Sequence, residues 1–374
     1  MNLDNQEINT KIIDNYFWFL ENQLALKSPI NLNQEKIKFF NSKYTYNPQF
    51  IYPTITKLKF EKQIIKSIKK IKNPDIRRLY LDKVREYQLR KDLASNIGNP
   101  IKFTQKSIEL YSKPNQKTIS IAQKIVNQMP PINFDRKNIN IIRFKRLKKE
   151  INSYIKQSQL HGKIRIRHKQ PVGNNISISK KTGRINISDN YIADKDELID
   201  IIHHELETHM RRLENGVNQE YGIFKIGTAK YLQTEEGLAP ILGHAFKKNK
   251  LLWHPALLVL AINKSLTSDF VAVFKTINNI IKEPFQSWSY TVRVKNGLTD
   301  TAKPGVYTKD LYLQYAIKIY KQLTKSPQLL KSAFNGKASL KQLEQFTQTP
   351  KHFQPKISIE DIKSLAQKNH FFSI

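Results

Sequence analysis

The chain has 374 residues, with 63 Lys and Arg against 31 Asp and Glu, a formal net charge of +32. A hydrophobic content of 39% with 10% aromatics points to a folded body with one large core or two modest ones, and against a disordered chain. There is no cysteine, which excludes disulfides and any thiolate zinc site, so a metal would have to use His, Glu or Asp. Two readings of the charge stand side by side. Lys, Asn, Ile, Tyr and Phe are all abundant, as composition bias in an AT-rich genome would give. The alternative is an anionic partner: an acidic peptide tail, nucleic acid or an anionic membrane surface.

The first residues, Met1 to Glu7, are polar and acidic rather than basic then apolar, so no secretory signal is read there. The longest apolar run, Leu251 to Ile262, is too short for a membrane span and contains His254 and Pro255. A cytoplasmic protein is expected, with export by a signal-less route left open.

Residues 1–35 read as an amphipathic helix (Ile12, Ile13, Tyr16, Phe17, Phe19, Leu20) and a loop opened by Ser28-Pro29. From Pro53 to about Asp92 the period is helical. Leu58, Ile64, Ile65, Ile68 and Ile71 share one face, and Asn73-Pro74 breaks before a second helix through Leu79, Val84, Tyr87 and Leu89. Lys62, Lys66, Lys69, Lys70 and Lys72 crowd the opposite side, a solvated face and the first candidate for anionic contact. Ile97 to Pro100 is a loop, a helix runs from Gln116 to Gln128 and stops at Met129-Pro130-Pro131, and a basic helix covers Arg143 to Glu150.

At Lys163 the period switches to alternation. Strands are expected at Lys163–His168, Asn175–Ser179 and Arg184–Ser188, the last entered through a turn at Lys181-Thr182-Gly183. Next comes a helix from Asp194 to Gly216, with Asp194 and Glu197 as a capping box, Arg211 and Arg212 in its last turn and Asn215-Gly216 as a stop. A further helix begins at Thr234 as N-cap, with a bend at Pro240. Residues 269–282 form a core-facing helix. The stretch from Arg293 to Tyr312 is rich in turn residues, and another helix starts near Asp310. The last fifty residues alternate short helices and loops, punctuated by Gly336 and Pro350.

Within the Asp194 helix lies His204-Glu205-Leu206-Glu207-Thr208-His209, a near relative of the zinc-protease H-E-x-x-H. At about 100° per residue, histidines five apart diverge by about 140° and cannot converge from a regular α-helix. A π-type turn with i→i+5 bonding would bring them together, so the spacing predicts a widened turn across 204–209. Gln233-Thr234-Glu235-Glu236-Gly237-Leu238-Ala239 then offers a carboxylate as third ligand, leaving one position for water as in His₂Glu sites. Asp196, Asp200 and Glu207 read as solvated helix residues, and His203 as packed or supporting.

H-E-x-x-x-H followed by T-E-E-G-L-A resembles the zinc carboxypeptidase-like family known by its QEGLA motif, which includes the tubulin tyrosine carboxypeptidases. The resemblance extends to Arg293–Tyr312, with its T-K-D-x-x-Y-like end, and to the upstream landmarks Pro48–Pro53 and Phe103–Tyr111. It implies Glu236 as the third ligand of a Zn²⁺ held by His204 and His209. It further implies a C-terminal tyrosine as the released residue and an acidic tail such as tubulin's as the substrate body. One departure stands out: Asn296-Gly297 occupies the place of an arginine–glycine pair in the family pattern.

The expected fold is α+β, predominantly helical, with a small zincin-type (gluzincin-like) β-sheet beside the metal-binding helix. It is divided as 1–155 (basic, mostly helical), 156–325 (catalytic core) and 326–374 (a bracing segment). Residues 184–188, with Arg184, are assigned to an edge strand binding extended substrate. The expected chemistry is zinc-dependent removal of a C-terminal residue. Glu205 is the base, Tyr312 or Lys309 the oxyanion donor, and Arg293, backed by Lys295 and Lys309, the cation for the terminal carboxylate. An aminopeptidase or endopeptidase on the same core is the first alternative. The second is a basic nucleic-acid- or microtubule-binding protein with a vestigial site.

Overall fold

The structure, a computed structural model, describes residues 5–54, 62–128, 141–167, 176–179, 181–189, 191–343 and 357–371. Expectations at Met1 to Asp4, Leu58, Met129-Pro130-Pro131, His168, Asn175 and Pro350 fall outside those residues. What is described is mostly helical with one small mixed sheet, the α+β class. No helix among the described residues is long and apolar enough to cross a membrane. The chain forms two compact units, each assembled from separated stretches. One takes Met1–Asp14, Ile132–Leu252 and Tyr315–Ser373; the other takes Asn15–Pro131, Trp253–Gln314 and Ile374.

The first unit holds the sheet: β1 (Ile164–Arg167), β2 (Ile176–Ile178) and β3 (Ile185–Ser188). The order is β1-β3-β2, with β1 parallel to β3 (Ile164 opposite Ile185) and β2 antiparallel to it (Ile176 opposite Ile187). This corrects the role given to residues 184–188. β3 is central and every one of its residues is buried, so its ladder groups are already spent on both neighbours and no peptide can add to it. Arg184 sits in the exposed approach to β3, and the edges belong to β1 and β2. A single core ties the sheet to two helices. Leu147, Ile151 and Ile155, spaced four apart on helix Phe144–Gln157, meet Ile185 and Ile187 of β3 and Leu206 and Met210 of the histidine-bearing helix.

The second unit is helical. Asn73 caps helix Pro74–Ser95, accepting from the Asp75 and Ile76 N–H groups, with Pro74 in the first turn where its missing N–H costs nothing. In the preceding helix Ile64 and Ile68 are buried, while Lys62, Lys66 and Lys69 stay exposed, as do Lys70 and Lys72 just beyond. Asp269 caps the core-facing helix Phe270–Ile281, whose Phe270 and Phe274 pack with Phe39, Phe50 and Trp288.

Candidate metal centre

The centre starts from a capped helix. Asp194 accepts the Glu197 N–H at 2.7 Å and Glu197 accepts the Asp194 N–H at 2.8 Å, the expected capping box. After the six α-helical residues Lys195–Asp200, Ile201–Met210 is wound as a π-helix. α-Helical winding then resumes through Val217, so Asn215-Gly216 lies just inside the end instead of stopping it. The widened turn does what the five-residue spacing required. The rings of His204 and His209 stand 5.1 Å apart, and ligand atoms of His204, Glu205 and His209 all fall within 4.8 Å of one another. Thr208 helps satisfy the loosened backbone, its hydroxyl donating at 2.9 Å to the carbonyl of His203, five residues back.

Packed beside this helix is Tyr231–Ala245, carrying the second motif. It begins three residues earlier than Thr234, after Lys230 in the left-handed region at φ 60°. Thr234 is therefore no N-cap: it is buried, and its hydroxyl accepts the Leu340 N–H at 3.1 Å. Pro240 lies inside the helix, which continues to Ala245, and the donor it lacks leaves the Glu236 carbonyl without its usual partner. The small residues of the motif are dictated by packing. A Cβ at Gly237 would come within 2.7 Å of the Tyr315 backbone, and one at Gly243 would strike the Asp200 carboxylate.

The two adjacent glutamates have different surroundings. Glu235 is buried; one oxygen receives His209 Nδ1 at 3.0 Å and Lys337 Nζ at 3.3 Å, the other Arg212 at 3.0 Å. Burial alone would raise its pKa, but Lys337, the His209 bond and Arg212 hold it well below the usual carboxylate range. Nothing local singles Glu235 out, since it sits beside Gln233, Thr234 and Glu236 on the same turn of helix; only its tertiary partners do. Glu236 is half-buried and stands outside the tight group of three, yet its charge reaches both His209 and Glu205.

Burial raises the pKa of Glu205, with Glu236 and Asp200 adding to the effect and the two histidines opposing it. Burial would lower His209, but the Glu235 hydrogen bond and the charges of Glu236, Glu235 and Glu205 outweigh it and push it up to about 9. The metal-free imidazole thus carries a proton at neutral pH that a metal must displace. Zinc affinity is expected to rise about tenfold per pH unit below that value, as read by chelator competition; an affinity flat with pH would contradict it.

Several flanking residues differ from expectation. Glu207 is not solvated: it is 2% exposed and accepts from Tyr154 at 3.0 Å and Arg211 at 3.1 Å. Asp200 pairs with Lys247 at 2.8 Å. Its pKa, which burial would raise, is held down by His204, Lys247 and His244. His203, in contrast, is packed as expected, stacking on Phe246 with ring centres 4.0 Å apart.

Arg293, Lys295, Lys309 and Tyr312 lie in the second unit. Arg293 Nε donates to Asp310 at 2.8 Å and its terminal nitrogen to the Tyr312 hydroxyl at 3.1 Å, while that hydroxyl donates to Asp310 at 2.8 Å. Asp310, not singled out in the sequence, is the hub of this group. Lys309 is half-buried beside it. Lys295 is corrected outright. It is fully buried and donates to the carbonyls of Ser268, Lys303 and Gly305 at 2.5, 3.2 and 3.1 Å, so its three N–H bonds are committed to the loop and none is left for a substrate. Burial pushes its pKa down to about 8.

The upstream landmarks acquire a physical reason in the same unit. Gly297, at φ 94°, donates to the Tyr52 hydroxyl at 2.7 Å, and any Cβ there would collide with the ring of Phe103. Ser107 accepts the Thr308 N–H at 2.7 Å, fixing the Thr308-Lys309-Asp310 segment.

The donor set suits zinc. It offers imidazoles and carboxylates without thiolates, one imidazole already held by a carboxylate through its other nitrogen. Residues 37–357 match the family model described as microtubule-associated tyrosine carboxypeptidase. The mouse protein named "Putative tyrosine carboxypeptidase MATCAP2" is 28% identical over 304 residues, 79% of this chain and 50% of its own length. Mouse microtubule-associated tyrosine carboxypeptidase 1 is 25% identical over 331 residues, 86% of this chain and 61% of its own. The human protein of that name is 23% identical over 304 residues, covering 79% and 55%. The chain thus spans between half and about three fifths of these relatives.

Proposed function

Because the chain belongs to the microtubule-associated tyrosine carboxypeptidase family, we propose that it is a zinc-dependent carboxypeptidase. On this reading it acts on the C-terminus of an acidic polypeptide, in the cytoplasm. The observation that carries this reading is the π-helical turn that brings His204, Glu205 and His209 within one ion's reach. With Glu236 as third ligand the sheet and helix act as a zincin-type core. A zinc ion held by these residues would supply the polarisation of the scissile carbonyl and the acidification of water.

The remaining steps belong to the protein. Glu205 takes the proton from water onto a carboxylate oxygen and returns it to the nitrogen of the leaving residue; its burial makes it the stronger base. Arg293 is the cation for the terminal carboxylate. Asp310 and Tyr312 occupy two edges of its guanidinium, and the planar fork has further N–H bonds for a bidentate grip. Tyr312 gives its own hydrogen to Asp310, which makes Lys309 the better oxyanion donor. A protein of charge +32 attracts an acidic chain over long range. Tyrosine as the released residue and tubulin as the substrate follow the names of the relatives.

The test uses acidic peptides ending in tyrosine, with free and amidated C-termini, and the zinc-loaded protein. Release from the free terminus with at least about a hundredfold loss on amidation is expected, because amidation removes the charge that a guanidinium would hold. Equal cleavage of both forms would mean an endopeptidase or aminopeptidase. Salt-sensitive binding without cleavage would mean a vestigial site.

A further inference from the structure

We propose that Glu235 is a positioning residue that decides which nitrogen of His209 faces the ion, and that the buried Arg212–Lys337 pair exists to keep Glu235 in that role. The inference rests on the metal-centre reading above and concerns residues beyond the ligands.

Both oxygens of Glu235 are occupied: His209 and Lys337 meet one and Arg212 the other. Of the two neighbouring glutamates, Glu236 is therefore the one left to approach a metal. An ionised carboxylate only accepts hydrogen bonds, so Nδ1 keeps its proton, and the one a metal displaces is on Nε2, whose lone pair is then free for the ion. Turning the ring over would break that bond and leave a buried charge one donor short. The ring is thus fixed in orientation before any ion arrives, and that orientation decides which proton an ion displaces and so which tautomer results.

A carboxylate 2% exposed needs compensation. Arg212, 0% exposed, and Lys337, 2% exposed, supply it from two separate segments. Arg212 is itself anchored to the Ala338 carbonyl at 2.6 Å. A glutamine at position 235, the residue in the QEGLA motif, would still offer one carbonyl oxygen. Its amide N–H₂ would then face Arg212 or Lys337, donor against donor. With glutamine, at least one of the three bonds must be lost.

The experiment compares zinc binding by the full chain and by Glu235→Gln, using chelator competition at one pH. The nitrogen shifts of His209 in the zinc-loaded, ¹⁵N-histidine-labelled protein are the second readout. Since Glu235→Gln leaves two buried cations without their anion and can fail to fold, Glu235→Gln/Lys337→Met is measured beside it; that pair removes one charge of each sign. The wild-type protein is expected to hold one zinc through Nε2 of His209 with the proton on Nδ1. The folded variants should bind zinc about 10- to 100-fold more weakly and lose the single-tautomer signature. Restoring Glu235 in the Lys337→Met background should recover both readouts in large part. A folded double variant with unchanged affinity and unchanged nitrogen shifts overturns the role given to Glu235 while leaving the metal centre intact. A wild-type protein that takes up no zinc overturns the metal centre, and this inference with it.

Discussion

Glu205→Gln is expected to lose about 10²- to 10⁴-fold in turnover while retaining its zinc. The amide has nearly the shape of the carboxylate, so it should fit between His204 and His209 without disturbing the π-helical turn. It cannot take a proton from water. Burial and the neighbouring carboxylates Glu236 and Asp200 raise Glu205, against the pull of two histidines, which places a relatively strong base where a proton must be accepted. Zinc content by metal analysis and turnover on a peptide with a free acidic C-terminus would be measured together. A variant as active as the wild type would remove Glu205 from the mechanism. One that loses its zinc would instead make Glu205 part of the ligand set.

Arg212→Met is expected to destabilise the protein by about 3–5 kcal/mol, the cost of breaking a buried ion pair from one side. The side chain is fully buried and spans from Glu235 at 3.0 Å to the Ala338 carbonyl at 2.6 Å. Its loss strands an acceptor at each end, although Lys337 and His209 continue to hold one Glu235 oxygen. Methionine fills much of the volume, so the deficit reports charge and hydrogen bonding more than a cavity. Denaturant unfolding of the metal-free protein gives the number; a change below about 1 kcal/mol would mean that Lys337 alone balances Glu235.

Much of the centre was legible because its constraints are local. A five-residue histidine spacing on a helix admits few geometries, and the required π-turn was readable before any coordinate. The capping box at Asp194 and Glu197 was equally plain, since both partners lie within one turn. What the sequence concealed was non-local. Whether 184–188 is an edge or a centre depends on where β1 and β2 pair, and alternation looks the same in both cases. Lys295 read as an available cation because nothing in its neighbourhood announces that the carbonyls of Ser268, Lys303 and Gly305 converge on it. Glu207, Arg212 and Asp310 were hidden similarly: a charged residue on a helix is normally solvated, and only tertiary partners reveal otherwise.

The bond from Arg212 to Ala338 joins positions 126 residues apart, and Lys337 reaches back 102 residues to Glu235. A ribosome adding about 5–20 residues per second would display both histidines roughly ten seconds before the segment that steadies them emerges. A growing polypeptide therefore passes through a stage in which Glu235 has His209 and Arg212 but lacks Lys337, and Arg212 lacks its carbonyl anchor. The finished geometry must await the arrival of Lys337 and Ala338.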